Sequence, residues 1–325
     1  MTYNRTLQRM FVTGRYSSIV LSVLSLLLWG IGAFLPYNVQ EGTANAFFVS
    51  SIGVYACRAL SLLLYVGVAF IINSFIILEE RTPWLAGLLL LLAALLPPLQ
   101  NNLAFAMALL VFVVAVTLLL SCYYPDSIER RIYAVFFIYS LSVLLCPQFI
   151  YLAPLFIAYP IMTGVLGIKS FLSLLLGAVT PFWLLYGSAW VLPSLSVAKE
   201  PFEQGLQSMI GGWEFISPAT AMLSFALVEL FIMLPAVYFF FTTSSPSKPV
   251  MRKMLAFFML VNVYLWLLSW VRGADSLLLF AWRLPGLALI SAYLFTVKIT
   301  KLSSIYFVLI YIMWLLVAAF GIWNG

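Results

Sequence analysis

The chain has 325 residues, of which 65% are hydrophobic and 8% are charged, and its formal net charge is +6. This composition leaves too little polar surface to cover a water-soluble globule, and apolar runs repeatedly reach the ~20 residues that span a bilayer. Leu, Ala and Phe fill both faces of each run, which excludes the alternating pattern of a membrane barrel. The sequence therefore predicts an all-α, polytopic transmembrane helix bundle.

Eleven apolar segments are predicted as membrane-spanning helices, a count good to about two because the third and fifth are short for a bilayer. In chain order they lie near Ser17 to Pro36, Gly53 to Leu78, Trp84 to Leu99, Leu103 to Cys122, Ile132 to Cys146, Phe149 to Gly167, Phe171 to Leu192, Ile216 to Phe241, Met254 to Val271, Ser276 to Val297, and Ser303 to Trp323. The short connections contain the Pro, Gly, Asn and Gln expected in turns. Residues 1–325 are therefore expected to form a single integral membrane domain, with no soluble domain and no cleaved signal peptide.

Basic residues in the short loops predict the orientation of the bundle. With the N-terminus in the cytoplasm, twelve of the sixteen Lys and Arg residues lie on the inner side. They are Arg5, Arg9, Arg15, Arg81, Arg130, Arg131, Lys169, Lys248, Arg252, Lys253, Lys298 and Lys301. We expect a cytoplasmic N-terminus and a periplasmic C-terminus in a bacterial inner membrane. The positive charge thus indicates topology and gives no reason to expect nucleic acid as a partner.

Two arginines and an acid stand close together in VRGADSLLLFAWRLPG, at a predicted outer turn. Arg272 and Asp275 are three residues apart, so a local ion pair on one helix face is one explanation. Arg283 lies two turns inside the tenth helix if that helix begins near Ser276. It lies just before the helix if the helix begins near Leu284, with Pro285 in its first turn. In both cases the guanidinium either snorkels to the headgroups or faces a polar pocket.

Arg58 is a third arginine on the predicted outer side, about a turn and a half inside the second helix in GVYACRALSLL. A charge at that depth costs roughly 2 to 3 kcal/mol unless it faces protein or water. We therefore predict that Arg58 converges with Arg272 or Arg283 on one outward-facing polar cavity, with Asp275 among the substrate-binding residues. The flat fork of arginine suits phosphate, so an anionic or polyprenyl-phosphate-linked substrate is the expected ligand, beside membrane lipids as general partners.

Glu229, in MLSFALVELFIML, falls at the middle of the predicted eighth helix. A lone carboxylate is strongly disfavoured there, so a protonated, neutral side chain is expected. It belongs either to a proton-coupling or ion-binding site, or to a hydrogen bond with a neighbouring helix, for example with Asn262, Asn73 or a serine. If the carboxyl group is neutral, Glu229→Gln should insert almost unchanged.

No metal or cofactor is predicted. The cysteines Cys57, Cys122 and Cys146 are scattered in apolar context, and the chain has no histidine. These residues offer no spacing typical of a zinc or haem site and no conventional catalytic triad.

The stretch from Asn73 to Trp190 contains NSFIILEERT, PDSIERRIYAVFFIYSLSVLLCPQFIYLAPLFIAYP and FLSLLLGAVTPFWLLYG. It resembles a family of bacterial inner-membrane proteins defined only as a domain of unknown function. Its order of helix, short break, returning helix and basic turn is similar, more distantly, to the membrane-embedded C-type glycosyltransferases. That resemblance implies catalysis at the outer face on a polyprenyl-phosphate sugar donor. It also implies a base in the first outer loop, where Glu41 stands in NVQEGTAN, although the paired acids usual in that family are missing.

Three functions from different classes remain open at this point. The first is a protein that binds a lipid-linked anionic substrate at the outer face, with glycosyl transfer in envelope biogenesis as its activity. The second is a transporter or lipid flippase that uses Glu229. The third is a non-catalytic membrane subunit of a complex.

Overall fold

The computed structural model describes residues 17–34, 51–75, 84–94, 103–122, 127–191, 199–211, 220–242, 249–272, 276–297 and 301–323. Within these ranges the fold is all-helical, as predicted, with twelve α-helices and one 3-10 helix. In chain order they are α1 (Ser17–Phe34), α2 (Ser51–Phe75), α3 (Trp84–Ala94), α4 (Leu103–Ser121), α5 (Ile128–Leu145), the 3-10 helix (Pro147–Leu152), α6 (Ala153–Thr163), α7 (Ile168–Val191), α8 (Glu200–Gly211), α9 (Thr220–Thr242), α10 (Pro249–Val271), α11 (Ser276–Val297) and α12 (Lys301–Trp323).

Within the ranges given above, four helices are long and apolar enough to cross a membrane, judged by length and composition. The spans are Tyr55–Ile72, Ile168–Val191, Arg252–Val271 and Leu278–Thr296. Large apolar side chains cover the outside of the bundle, including Trp183 and Trp190 of α7, which are 70% and 87% exposed. Side chains of this size on an outer face are suited to lipid, so the fold indicates a membrane protein.

Helix α11 lies at the centre of the bundle. Every residue from Leu278 to Phe295 is buried, because α3, α4, α9 and α10 all pack against this helix. A helix that is apolar on every side is stable when other helices or lipid surround it, and for α11 the surroundings are other helices. The bounds of α11 agree with the predicted segment Ser276 to Val297.

The chain leaves α-helical geometry between α5 and α6. Cys146 is extended, and the 3-10 helix begins at Pro147, which supplies no backbone N–H. Two carbonyl groups of this break accept hydrogen bonds from tyrosine hydroxyls: Tyr139 donates to Phe149 over 2.9 Å, and Tyr264 of α10 donates to Tyr151 over 2.8 Å. These bonds satisfy buried backbone oxygens and fasten the break to α10.

Helix α8 was not predicted, because its sequence lies in the longest predicted outer loop and is too short and too polar for a span. Phe202 and Met209 are buried, whereas Glu203 and Gln204 are exposed, so the helix is amphipathic. Its Gly205 lies so close to the 3-10 helix that a β-carbon would come within 2.6 Å of Cγ of Pro147. The apolar spacing of Phe202 and Met209 was a usable signal that a search for long apolar runs ignores.

Candidate functional site

Arg283 lies in the interior of α11. The helix begins at Ser276, so Arg283 is about 10 Å along its axis at 1.5 Å per residue, and Pro285 is inside the helix. Of the two positions that the sequence allowed, the structure therefore selects the one two turns inside the helix. Only 4% of Arg283 is exposed, so its charge must be compensated by protein.

The compensating group is Glu229 of α9. Nη1 of Arg283 is 3.1 Å from Oε2 of Glu229, and both side chains are buried. From the sequence, Asn262, Asn73 or a serine was the expected partner of a neutral Glu229. The structure places Arg283 beside Glu229 instead, and the charge of this guanidinium opposes the tendency of burial to neutralise the carboxyl group. The pairing could not be read from sequence because the two residues lie on different helices.

The ion pair is close but incompletely hydrogen-bonded. Nε and Nη1 of Arg283 and both carboxylate oxygens of Glu229 make no hydrogen bond of acceptable geometry within the described part of the chain. Charge attraction therefore holds the pair, together with the ring of Phe280, whose centroid is 5.0 Å from the guanidinium carbon. Buried donors and acceptors without hydrogen bonds destabilise the folded state, and they leave the pair able to bind another polar group.

Asn262 of α10 brings a further polar group to this region. Its Nδ2 donates to the carbonyl oxygen of Phe258 over 2.8 Å, while its buried Oδ1 has no hydrogen-bond partner among the described residues. The amide lies directly against Gly286 of α11, where any β-carbon would overlap Nδ2. Gly286 is three residues after Arg283, so the amide and the guanidinium lie along neighbouring turns of α11.

Both helices that carry the ion pair contain an internal proline. Pro235 of α9 cannot donate to the carbonyl of Phe231, and that oxygen instead accepts a hydrogen bond from the hydroxyl of Tyr306 of α12. Pro285 of α11 lies two residues after Arg283. Each proline removes one bond of the helix ladder close to a charged residue, which lowers the resistance of that helix to bending.

Arg272 has a different environment from Arg283. It lies just after α10, is 3% exposed, and donates through Nη1 to the carbonyl oxygen of Met209 in α8 over 2.8 Å. Its guanidinium carbon is 5.3 Å from the ring centroid of Tyr151 in the 3-10 helix. Arg272 thus joins α10, α8 and the 3-10 helix at one end of the bundle. This contact could not be predicted from the sequence because α8 was not predicted.

The remaining predicted site residues are placed only in part. Arg58 is 6% exposed on α2, a helix that packs against α3 and α4. Glu41 and Asp275 lie outside the described residues. The shared outward cavity of Arg58 with Arg272 or Arg283 stays a prediction.

The site that the structure brings together is thus the Arg283–Glu229 pair with Asn262 beside α11. In the described ranges no three His, Cys, Asp or Glu side chains are grouped so that they could hold a metal ion. Comparison of the chain with known protein families, with curated proteins and with solved structures found no match.

Proposed function

We propose that the protein is a multi-pass membrane transporter for an anionic substrate, in which Arg283 binds the anion and Glu229 is the counter-ion that the anion displaces. The observation that carries this proposal is the ion pair inside the central helix bundle, with its two side chains 5% and 3% exposed. Charges at membrane depth are expensive and typically mark substrate or proton pathways. Two alternatives stay predictions from the sequence. They are glycosyl transfer with Glu41 as the base, and a role as a non-catalytic subunit of a complex.

The incomplete hydrogen bonding of the pair supports an exchange of partners. A carboxylate and a phosphate or carboxylate substrate compete for the same guanidinium fork, and Glu229 fills that fork only in part. When an anion takes its place, Glu229 is left without a partner in a low-dielectric interior and takes up a proton. Transport of the anion would therefore be coupled to movement of a proton.

The prolines of α9 and α11 support movement at this site. Interrupted helices that meet at the substrate site are characteristic of secondary transporters. Pro235 and Pro285 each remove a backbone hydrogen bond from a helix that carries one member of the pair. Bending at these positions would separate Arg283 from Glu229 without unfolding either helix.

We further propose that the bundle has about eleven membrane crossings in a bacterial inner membrane, with the N-terminus in the cytoplasm and the C-terminus in the periplasm. Three segments that the topology puts on the outer side are neighbours: the 3-10 helix, α8 and Arg272. Segments that contact one another at the end of a bundle must lie on the same side of the membrane. These contacts therefore support the proposed topology.

Cysteine labelling tests the orientation. In a background without Cys57, Cys122 and Cys146, we expect Gln204→Cys, exposed on α8, to react with an impermeant maleimide on intact spheroplasts. Ser247→Cys should react only after the membrane is permeabilised, because basic loops stay in the cytoplasm. Equal labelling of both positions on intact spheroplasts would refute the topology.

Transport by the purified protein tests the proposed function. Proteoliposomes on a solid-supported membrane are exposed to steps of inorganic phosphate, glycerol phosphate and citrate, and the transient current is recorded. We expect a current with at least one anion, and its loss in Glu229→Gln/Arg283→Gln, which removes both charges together and so avoids a stranded ion. The matched control is Lys199→Gln/Glu203→Gln, which removes one charge of each sign near the surface end of α8.

The control variant should keep the wild-type current, and a pH-sensitive dye inside the vesicles should report proton movement with the anion. Absence of both a current and a dye signal with all three anions would count against transport of small anions by this protein. A full current in Glu229→Gln/Arg283→Gln would show that the pair is not the transport site.

A further inference from the structure

The proline of α9 lies close to the charged residue of the same helix. Pro235 has no backbone N–H, so the carbonyl group of Phe231 loses its partner in the helix ladder. Phe231 comes two residues after Glu229, and two residues turn an α-helix by about 200°. The two side chains accordingly face opposite ways, since Glu229 is buried whereas Phe231 is 49% exposed on the outside of the bundle. We call residues 231–235 the α9 hinge, because a bend there moves Glu229 relative to the C-terminal half of α9.

The carbonyl group freed by Pro235 has a donor on another helix. The hydroxyl of Tyr306 in α12 donates to the carbonyl oxygen of Phe231. Lipid supplies no water that could replace this donor, and an unsatisfied carbonyl group in hydrocarbon is strongly destabilising. A hydroxyl of α9 itself would move with the helix, as Thr242 does when it donates to the carbonyl of Tyr238. The hydroxyl of Tyr306 can donate only while α9 lies against α12.

Tyr306 is itself held close to the central helix. Its neighbour Phe307 is buried and packs edge-on against Phe295 of α11, with ring centroids 4.9 Å apart. Helix α11 also carries Arg283. The hydrogen bond from Tyr306 therefore connects the α9 hinge to the helix that carries the ion-pair partner of Glu229.

We infer that Tyr306 is a positioning residue, whose hydroxyl holds the α9 hinge in place and so keeps Glu229 beside Arg283. While the hydrogen bond is made, the two halves of α9 keep one angle and the ion pair stays closed. When the bond breaks, α9 bends at the hinge and Glu229 moves away from the guanidinium. The inference rests on the proposed transport function, in which this separation opens Arg283 to the anion.

Distances between spin labels test the role of Tyr306 without any substrate. The labels are attached to the full-length chain in a background without the three cysteines. One pair joins Leu227→Cys, in the N-terminal half of α9, to Leu316→Cys of α12. A second pair joins Tyr238→Cys, in the C-terminal half of α9, to the same position of α12. All three side chains are exposed, so the labels disturb no packing in the interior.

Both pairs are measured by double electron–electron resonance in the chain with Tyr306 and Pro235 unchanged, in Tyr306→Phe, in Pro235→Ala and in Tyr306→Phe/Pro235→Ala. We expect one distance between Leu227 and Leu316 in the first protein. Tyr306→Phe should add a population displaced by about 4 Å, because Leu227 lies about 12 Å from Pro235 and a kink is about 20°. The pair that includes Tyr238 should keep its distance.

Pro235→Ala should cancel the effect of Tyr306→Phe. The new backbone N–H at this position donates to the carbonyl oxygen of Phe231 and continues the helix, so the hydroxyl of Tyr306 is no longer needed. Tyr306→Phe/Pro235→Ala should therefore show one distance for each pair.

Tyr264→Phe is the matched control. It removes a tyrosine hydroxyl that also donates to a backbone oxygen of another element, that of Tyr151. It should lower the stability of the protein and leave both label distances unchanged. The control thus separates the loss of a hydrogen bond from the release of the α9 hinge.

Two results would overturn the inference. The first is an unchanged distance between Leu227 and Leu316 in Tyr306→Phe. The second is a change of the same size in Tyr306→Phe/Pro235→Ala, which would show that the hydroxyl acts elsewhere than on the hinge. Neither result depends on the anion current, so a protein with a released hinge but without any current would refute the transport function and leave the role of Tyr306 in place.

Discussion

Glu229→Gln alone is expected to lower the free energy of unfolding by about 3 to 5 kcal/mol, because it leaves the buried guanidinium of Arg283 charged and without its partner. Arg283→Gln is expected to cost less, since a stranded carboxyl group can become neutral by taking up a proton. Glu229→Gln/Arg283→Gln contains no buried charge and should recover most of the loss. Chemical unfolding of the four purified proteins in one detergent gives the coupling energy as a double-mutant cycle.

The control for this cycle is Glu203→Gln, whose side chain is exposed on α8 and whose change should stay within about 0.5 kcal/mol of the wild type. An equally small effect of Glu229→Gln would contradict the ion pair. It is the result that the sequence alone suggests, because a neutral Glu229 loses little when it becomes an amide. The experiment therefore separates the two descriptions of this residue.

Gly177→Ala is expected to lower the free energy of unfolding by about 1 to 3 kcal/mol, the usual cost of an overpacked interior. Gly177 lies where α7 meets α5, and a β-carbon there would be 2.5 Å from the carbonyl oxygen of Tyr133 and 3.2 Å from Cβ of Phe136. A backbone carbonyl cannot turn aside as a side chain can, so the two helices must separate. The unfolding assay used for the ion pair measures the effect.

Gly187→Ala is the matched control, since it makes the same change on the same helix with no atom within 4 Å of the new β-carbon. It should leave the stability unchanged or raise it slightly, because alanine favours helix over glycine. If both substitutions had the same effect, the close approach of α5 and α7 at Gly177 would be refuted.

Several features of the fold could be predicted from the sequence. Apolar runs and their turn residues predicted helices throughout, and the segment Ser276 to Val297 agrees with α11 to the residue. The reason is local: an apolar run of about twenty residues satisfies its own backbone hydrogen bonds as a helix, whatever surrounds it. Helix α8 could not be predicted in this way, because an amphipathic helix of twelve residues is stabilised mainly by packing against its neighbours.

The neighbours of each charged side chain depend on the tertiary structure. The sequence indicated by composition alone that Glu229, Arg283 and Arg58 are exceptional, since each places a charge in an apolar helix. It could not indicate that Glu229 and Arg283 pair, because apolar surfaces on every side of α11 allow many packings of similar hydrophobic energy. The packing of α9 and α10 around α11 decides the pairing of Arg283 with Glu229. It therefore also decides whether a buried charge destabilises the fold alone or forms a site with a partner.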